Sequence, residues 1–258
     1  MHIVTAADNN YAKHLGVMLT SLLINQKETI GISIYIIDGN LSDINKEKLT
    51  KIVERFQSSV NFLTVDDTIF KSFNERKRIS KEAYYRIMIP KLLSEDINKA
   101  LYLDCDLVVT KDISPLWTTD IEDFHLGAVE SSVYKKLINY ISLPAGSSYF
   151  NSGVFLLNLD KWRKDNITEK ILQYKEENPD KDRFLDQDAL NAVLYDKWLK
   201  LHYTWNYTTG HWKRRKSYPI STPAIIHFTT RKKPWNSNHP FKKEYYKYVS
   251  ISDWNKMD

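Results

Sequence analysis

Cysteine is nearly absent. Cys105 is the only one in 258 residues, so no intramolecular disulfide can form and a reducing compartment is expected. Its place in a strand-like stretch reads as the setting of a buried packing residue rather than a nucleophile. Glycine is scarce, at seven residues, and neither a Gly-x-Gly-x-x-Gly nor a Walker-type loop occurs. Any bound phosphate must then be held by a metal and cationic side chains rather than by a glycine-rich backbone loop. No apolar run approaches the roughly 18 residues of a membrane span. Met1–Asp8 lacks the charged and long apolar regions of a signal peptide. These absences lead to an expected cytoplasmic location, with length enough for one large α/β domain or a domain with a small appendage. Charge is also unevenly spread. The first 210 residues hold 26 Lys and Arg against 29 Asp and Glu, whereas residues 211–258 hold 11 against 3, so the whole excess of +5 comes from the tail. A basic field at one end is expected.

What is present centres on Leu101–Val109, where an apolar run is interrupted by Asp104-Cys105-Asp106 and then resumes. The run reads as a buried strand. In extended backbone, residues i and i+2 project from one face, so the two carboxylates can converge on one point. Buried carboxylates need a metal or a cationic partner, and two at a strand end suit Mg²⁺ or Mn²⁺. Taken alone, Asp-x-Asp leaves another account open, in which Asp106 caps a turn and Asp104 pairs with a distant Arg or Lys.

Around this centre the chain alternates. His2–Ala7 reads as a strand and Tyr11–Ile24 as a helix with Asp8 or Asn9 as N-cap. Ile32–Ile37, Ser42–Phe56 and Val60–Val65 follow as strand, helix and strand. This order predicts a mainly parallel sheet with helices on both faces and ligands beyond the C-terminal strand ends. Asp8 and Asn10 then share a rim with Asp104 and Asp106. Lys81–Leu93 is expected to be one helix, where Arg86 either snorkels or clamps an anion. Leu126–Glu130 is expected as a strand and 131–148 as a loop. Asn151-Ser152-Gly153 precedes an apolar strand, Gly153 allowing close approach of a ligand to the backbone. Asp160–Glu176 reads as a helix. Asp186-Gln187-Asp188 opens another, with Asp186 as a simple cap or as half of a carboxylate–amide pair facing a substrate.

The last informative stretch ends a strand at His227 and continues through Arg231-Lys232-Lys233-Pro234-Trp235. Imidazole beside two carboxylates is acceptable for Mn²⁺ and less so for Mg²⁺. Beyond it, aromatics from Trp205 to Trp254 interleave with Lys and Arg. They either pack as a small C-terminal unit or meet an anionic lipid or nucleic-acid surface.

Six stretches in order resemble glycosyltransferase family 8, the retaining, metal-dependent sugar transferases that include bacterial lipooligosaccharide galactosyltransferases and glycogenin. They are Ala6–Tyr11, Tyr85-Arg86, Tyr102–Asp106, Asn151–Val154, Leu185–Asp188 and His227 through Trp235. The resemblance spans about residues 2–235. It implies an α/β fold of the GT-A type, with a Rossmann-like, mainly parallel central sheet, helices on both faces and a small basic, aromatic C-terminal segment. The transferase domain is expected over 1–235 and the extension over 236–258.

By the same resemblance, Asp104, Asp106 and His227 hold Mn²⁺ (or Mg²⁺), and Ala6, Asp8, Asn10, Asp104, Cys105 and Lys233 bind the nucleotide. Arg86, Asp104, Asn151, Ser152, Asp186 and Gln187 surround the donor sugar, with Gln187 and Asp186 as the catalytic pair. The implied reaction moves galactose or glucose from a UDP-sugar to a glycan, lipid-linked or protein-linked acceptor. One departure stands out: the family usually has Gly three residues after the metal histidine, and this sequence has Thr230.

Competing classes are a nucleotide-sugar-binding module without turnover and a nucleic-acid binder using the tail. Nucleic acid is disfavoured as a partner because the basic charge is confined to 48 residues and no RNA motif appears. Peripheral contact with the inner face of a membrane is the more economical use of that tail.

Overall fold

The computed structural model describes residues 1–27, 31–66, 82–132, 134–179, 181 and 183–256. The chain begins β1 (His2–Asp8), α1 (Ala12–Ile24), β2 (Ser33–Gly39), α2 (Asp43–Glu54) and β3 (Ser59–Leu63). It continues through α3 (Glu82–Tyr85), a 3₁₀ turn (Arg86–Met88), α4 (Ile89–Leu92), β4 (Lys99–Leu103), β5 (Leu107–Val109) and α5 (Ser114–Trp117). Next come β6 (Leu126–Glu130), α6 (Tyr134–Tyr140), β7 (Phe150–Asn158), α7 (Leu159–Lys164), α8 (Ile167–Glu177) and α9 (Asp186–Leu194). The remainder is β8 (Trp198–Leu201), a 3₁₀ turn (Tyr203–Asn206), β9 (Tyr207–Thr208), α10 (Thr209–Lys213), β10 (Ile225–His227), α11 (Lys242–Ser252) and a final 3₁₀ turn (Trp254–Lys256).

Seven strands form the main sheet in the order β3-β2-β1-β4-β7-β6-β8, and β5-β10-β9 form a second, small one. In the main sheet β3, β2, β1 and β4 are mutually parallel, β7 runs antiparallel to β4 and β6, and β8 is parallel to β6. Alternation along each central strand feeds two cores. Val4, Ala6, Ala100, Tyr102, Phe155 and Leu157 face one, with Ile87, Trp162, Ile171 and Leu190 packed on them. Ile3, Ala7, Leu101, Leu103, Val154 and Leu156 face the other, with Leu15, Leu19, Leu49 and Ile52. Helices therefore cover both faces, as the alternation of elements predicts.

Several expected boundaries differ. The 101–109 run is not one strand: it breaks at Asp104-Cys105-Asp106 into β4 and β5, which belong to different sheets. The 81–93 stretch is not one helix: it breaks into α3, the 3₁₀ turn and α4, with Pro90 at the start of α4 and Arg86 turned inward. Lys81 lies outside the described residues. The 160–176 helix is two, α7 and α8, because Asn166 adopts left-handed backbone at φ 50°. The Trp162 indole donates to Thr168 Oγ1 across this break. The 131–148 loop contains α6, whose Leu137 and Ile138 pack with Ile141 against Tyr149; the polar residues around them hide this short apolar face.

Helix α1 has no side-chain N-cap: Tyr11 occupies that position. Asp8 Oδ1 instead accepts from the Tyr11 amide at 2.8 Å. Asn9 Oδ1 accepts from the Ser42 amide and from Asn45 Nδ2, which ties the β1 end to the start of α2. In the tail, Tyr245 and Tyr248 of α11 pack with Val17, Ile226 and Phe228. The Trp254 ring lies over Gly16, where a Cβ would come within 2.6 Å of it.

Candidate active site

The topology collects the site on one rim. β1 and β4 are parallel with Val4 opposite Tyr102, so both leave the sheet at the same edge. β7 runs the other way with Val154 opposite Leu103, and the Asp104 amide donates to Gly153 O at 2.8 Å. That brings Asn151, Ser152 and Gly153, which lie inside β7 rather than before it, to the same edge. After Asp106 the chain leaves for the small sheet, where antiparallel β10 sets His227 opposite Leu107. A crevice at strand ends is where open α/β sheets bind ligands.

Asp104, Asp106 and His227 each present one ligand atom, all within 4.8 Å of one another. Each carboxylate divides its two oxygens. Asp104 Oδ1 accepts from Tyr102 OH (2.9 Å) and Arg86 Nη2 (3.0 Å), while Oδ2 faces His227 Nε2 at 3.5 Å. Asp106 Oδ2 is held by Lys233 Nζ at 2.5 Å, and Oδ1 faces the same Nε2 at 3.1 Å. Burial works against charge on Asp106, but Lys233 and His227 outweigh it and hold the carboxyl well below the usual range. On its other side the ring's Nδ1 lies 2.9 Å from Asn206 Oδ1, an acceptor, so Nδ1 carries a proton. Nε2 is left to point between two carboxylate oxygens, an arrangement completed by a cation. The donor set of two carboxylate oxygens and one imidazole fits a divalent ion such as Mn²⁺.

Gly153 makes this convergence possible. A Cβ there would lie 2.1 Å from His227 Cε1 and 2.5 Å from Asp104 Oδ2. The missing side chain makes room for the protein's own site residues, whereas the sequence suggested room for a ligand.

Arg86 does not snorkel. It is 7% exposed and bridges Asp104 (3.0 Å) and Asp186 (3.2 Å), while its Nη1 donates to Ser152 O at 2.5 Å. Its guanidinium lies 4.7 Å from the Tyr102 ring centroid. Burial disfavours its charge, yet the two carboxylates more than offset this. Asp186 is not a cap: it accepts from Ser152 Oγ at 3.0 Å. Burial pushes its pKa up to about 6, with Arg86 opposing and Asp104 adding to the rise. Gln187 Oε1 accepts from Asn151 Nδ2 (2.8 Å) and the Ser152 amide (3.0 Å).

A cavity of about 920 Å³ opens over these groups. Arg86, Asp104, Asp106, His227 and Lys233 line it, as do Asn151, Ser152, Asp186 and Gln187. Ala6, Asp8, Asn10 and Cys105 are not among its lining residues. Asn10 Nδ2 donates to Asp8 Oδ2 at 2.9 Å beside the β1 end, and Ala6 is buried. The Cys105 thiol is pushed up by burial and then by Asp106 and Asp104, which keeps it protonated, as a packing residue would be. Thr230 lines the cavity, and its hydroxyl donates to Lys232 O at 3.2 Å, so the loop uses it internally.

Sequence reasoning missed Tyr102, Asn206, Tyr149 and Asp188 as supporting groups. It also passed over Tyr11, Arg183, Phe184 and Trp235 as lining residues. The aromatic character of Tyr11 and Trp235 inside matching stretches was the available signal. For Asn206 there was none.

The model of the family described as Glycosyl transferase family 8 matches residues 2–239. The chain belongs to this family. Among the relatives, General stress protein A of Bacillus subtilis (strain 168) is 41% identical over 271 residues, covering 99% of this chain and 95% of that protein. Lipopolysaccharide 1,2-glucosyltransferase of Escherichia coli (strain K12) is 28% identical, covering 98% and 79%. Four glycosyltransferases of Streptococcus pneumoniae are longer, and this chain spans 28% to 62% of their length. Among solved structures, galactosyltransferase LgtC in complex with donor and acceptor sugar analogs superposes with a TM-score of 0.90 at 25% identity, over 100% of both chains. The fold is of the GT-A type, and the family 8 chain is a glycosyltransferase. Among the described residues no helix is long and apolar enough to cross a membrane.

Proposed function

We propose that this transferase retains anomeric configuration and moves galactose or glucose from a UDP-sugar to a hydroxyl of a glycan, glycolipid or glycoprotein. The observation that supports this most directly is the division of labour at each aspartate, one oxygen on a fixed cation and the other facing His227 Nε2. Asp104, Asp106 and His227 would hold Mn²⁺, with Mg²⁺ the less suited ion. When bound, the ion supplies Lewis-acid stabilisation of charge on the departing diphosphate.

The chain's own residues do the rest. Lys233 reaches the cavity as a fixed positive charge for phosphate. Ala6, Asp8, Asn10 and Cys105 take the nucleoside end. Arg86 neutralises Asp104 and Asp186, so that Asp186, Asn151 and Ser152 can present acceptors and donors to sugar hydroxyls. Gln187 stands nearest the reacting carbon. Carboxylates here are already committed: Asp186 is bound to Arg86 and Ser152, and Asp188 is fully buried. None is free as a nucleophile on the face opposite UDP. The acceptor hydroxyl therefore attacks from the UDP side, with the leaving phosphate as base. A product of retained anomeric configuration by NMR is expected, and an inverted one would sink this mechanism. Tight UDP binding with no UDP release from any donor would instead favour a binding module without turnover.

The 1–235 stretch is taken as the transferase domain of a cytoplasmic protein. The 236–258 extension, with its neighbour 213–216, is taken as the membrane-facing side. Lys213, Arg214, Arg215 and Lys216 are exposed, and Lys242, Lys243 and Tyr246 line an open groove with Trp212. Cations flanking aromatics suit an anionic bilayer surface. Co-sedimentation with anionic vesicles at low salt is expected and should weaken as salt rises. No binding at low salt would remove this contact.

A further inference from the structure

One hydrogen-bond chain links the imidazole of the proposed metal site to the carboxamide of Gln187, and its direction can be read from fixed donors. The Gly153 amide donates to Asn151 Oδ1 at 3.2 Å, and the Ser152 amide donates to Gln187 Oε1 at 3.0 Å. A backbone N–H can only donate, so these two contacts settle which end of each carboxamide is oxygen. Asn151 then presents Nδ2 to Gln187 Oε1 (2.8 Å), and its Oδ1 receives Asn206 Nδ2 (2.8 Å). Asn206 must therefore turn its own oxygen to His227, and Nδ1 must be the protonated nitrogen. In the other direction Gln187 Nε2 donates to Tyr149 OH (3.1 Å), which leaves the phenol to donate to Asp188 Oδ1 (2.6 Å). The second oxygen of Asp188 accepts from the Phe184 amide at 2.6 Å.

Every link from His227 to Asp188 donates the same way and ends on a carboxylate. Asn206, Tyr149 and Asp188 are all fully buried. In such a site a reversed amide leaves two donors or two acceptors face to face, so the whole series holds one orientation.

We propose that the Ser152 and Gly153 amides of β7 set both the His227 tautomer and the orientation of Gln187 through this chain, with Asn206 and Tyr149 as its positioning residues. The inference rests on the reading that a metal binds at His227 Nε2, since that nitrogen is kept free only while Nδ1 is committed to Asn206. It also makes the metal side and the sugar side of the cavity parts of one hydrogen-bonded unit.

The test begins with the tautomer. Long-range ¹H–¹⁵N NMR of the metal-free full chain, with His227 assigned by comparison to His227→Gln, should show a proton on Nδ1, since a metal on Nε2 would by itself force that tautomer. In Asn206→Leu this signature should disappear, and Mn²⁺ affinity measured calorimetrically without donor should fall about 10–100-fold. Tyr149→Phe keeps the ring but removes the link to Asp188. It should leave Mn²⁺ affinity and donor KM within about threefold while lowering kcat about tenfold, because Gln187 loses an anchor at the reacting carbon. The double variant should lose less kcat than the product of the single losses, as expected for two cuts in one unit. Nδ1 unprotonated in the wild type, or kcat losses that multiply fully, would overturn the proposal. If the wild type bound neither Mn²⁺ nor Mg²⁺, the metal reading would fail, and the same metal-free spectra would still decide the tautomer.

Discussion

Asp106→Ala is expected to lower kcat/KM for sugar transfer by about 10³-fold or more, the range seen when a main electrostatic stabiliser of a transition state is removed. Three losses coincide. One ligand oxygen goes, Lys233 loses the carboxylate that fixes its position, and His227 loses the nearer of its two acidic neighbours. Lys233 would also lose its carboxylate partner while only 13% exposed, which lowers stability as well. The clearest readout is thermal unfolding. Ligand at about 100 times Kd stabilises the wild type by about 2.7 kcal/mol, and each kcal/mol raises Tm by about 2–4 °C in a chain of this size. UDP with Mn²⁺ should raise the wild-type Tm, UDP alone should raise it less, and the variant should show no Mn²⁺-dependent increment. A retained increment would mean that the ion, if it binds, sits elsewhere.

Gly153→Ala is the smallest change expected to disable the site. The backbone at 153 is not in the left-handed region, so the penalty is purely one of space. A methyl placed 2.1 Å from His227 Cε1 and 2.5 Å from Asp104 Oδ2 cannot be accommodated without movement. Neither neighbour yields easily. His227 is 3% exposed and tied to Asn206, and Asp104 is held by Tyr102 and Arg86. Overpacking of this kind costs about 1–3 kcal/mol, and a shift of about 1 Å in a positioned group can cost about 10²-fold in rate. We expect at least that loss in kcat/KM, together with weaker Mn²⁺ binding, in a protein that still folds by circular dichroism. Gly127→Ala in β6 is the matched control: its Cβ would meet nothing closer than 3.4 Å, and near-wild-type activity is expected. Equal activity of the two variants would show that the site is looser than its geometry.

Much of this is legible in the sequence. The β1–α1–β2–α2–β3 alternation carries its period in residues such as Leu15, Leu19, Leu22, Leu49 and Ile52, all of them buried. Asp104 and Asp106 stand out because carboxylates interrupt an apolar run, which the fold divides between β4 and β5. Strand direction is harder: β7 looks like another parallel strand, and only its pairing with β4 reveals that it runs backwards and delivers Asn151 to the rim. The inward turn of Arg86 depends on Asp104 and Asp186, which are distant in sequence. Local periodicity therefore favoured an intact helix. Asn206 follows Trp205 in a stretch with no period or motif, and its role exists only because β10 and β7 meet there. The sequence marks Gly153 as a place that needs space but assigns that space to a ligand; that Asp104 and His227 fill it is a tertiary fact.

The small sheet has a further consequence for how the site comes into being. Asp106 and His227 are separated by 121 residues, and the pairing of β5 with β10 brings them together. Closing so long a loop is entropically expensive and is recovered only when both segments are already supported by the larger sheet. No fragment holding only one of the two segments can contain the proposed metal site. The proposed ion site is thus a property of the finished topology, which no single β–α–β unit contains.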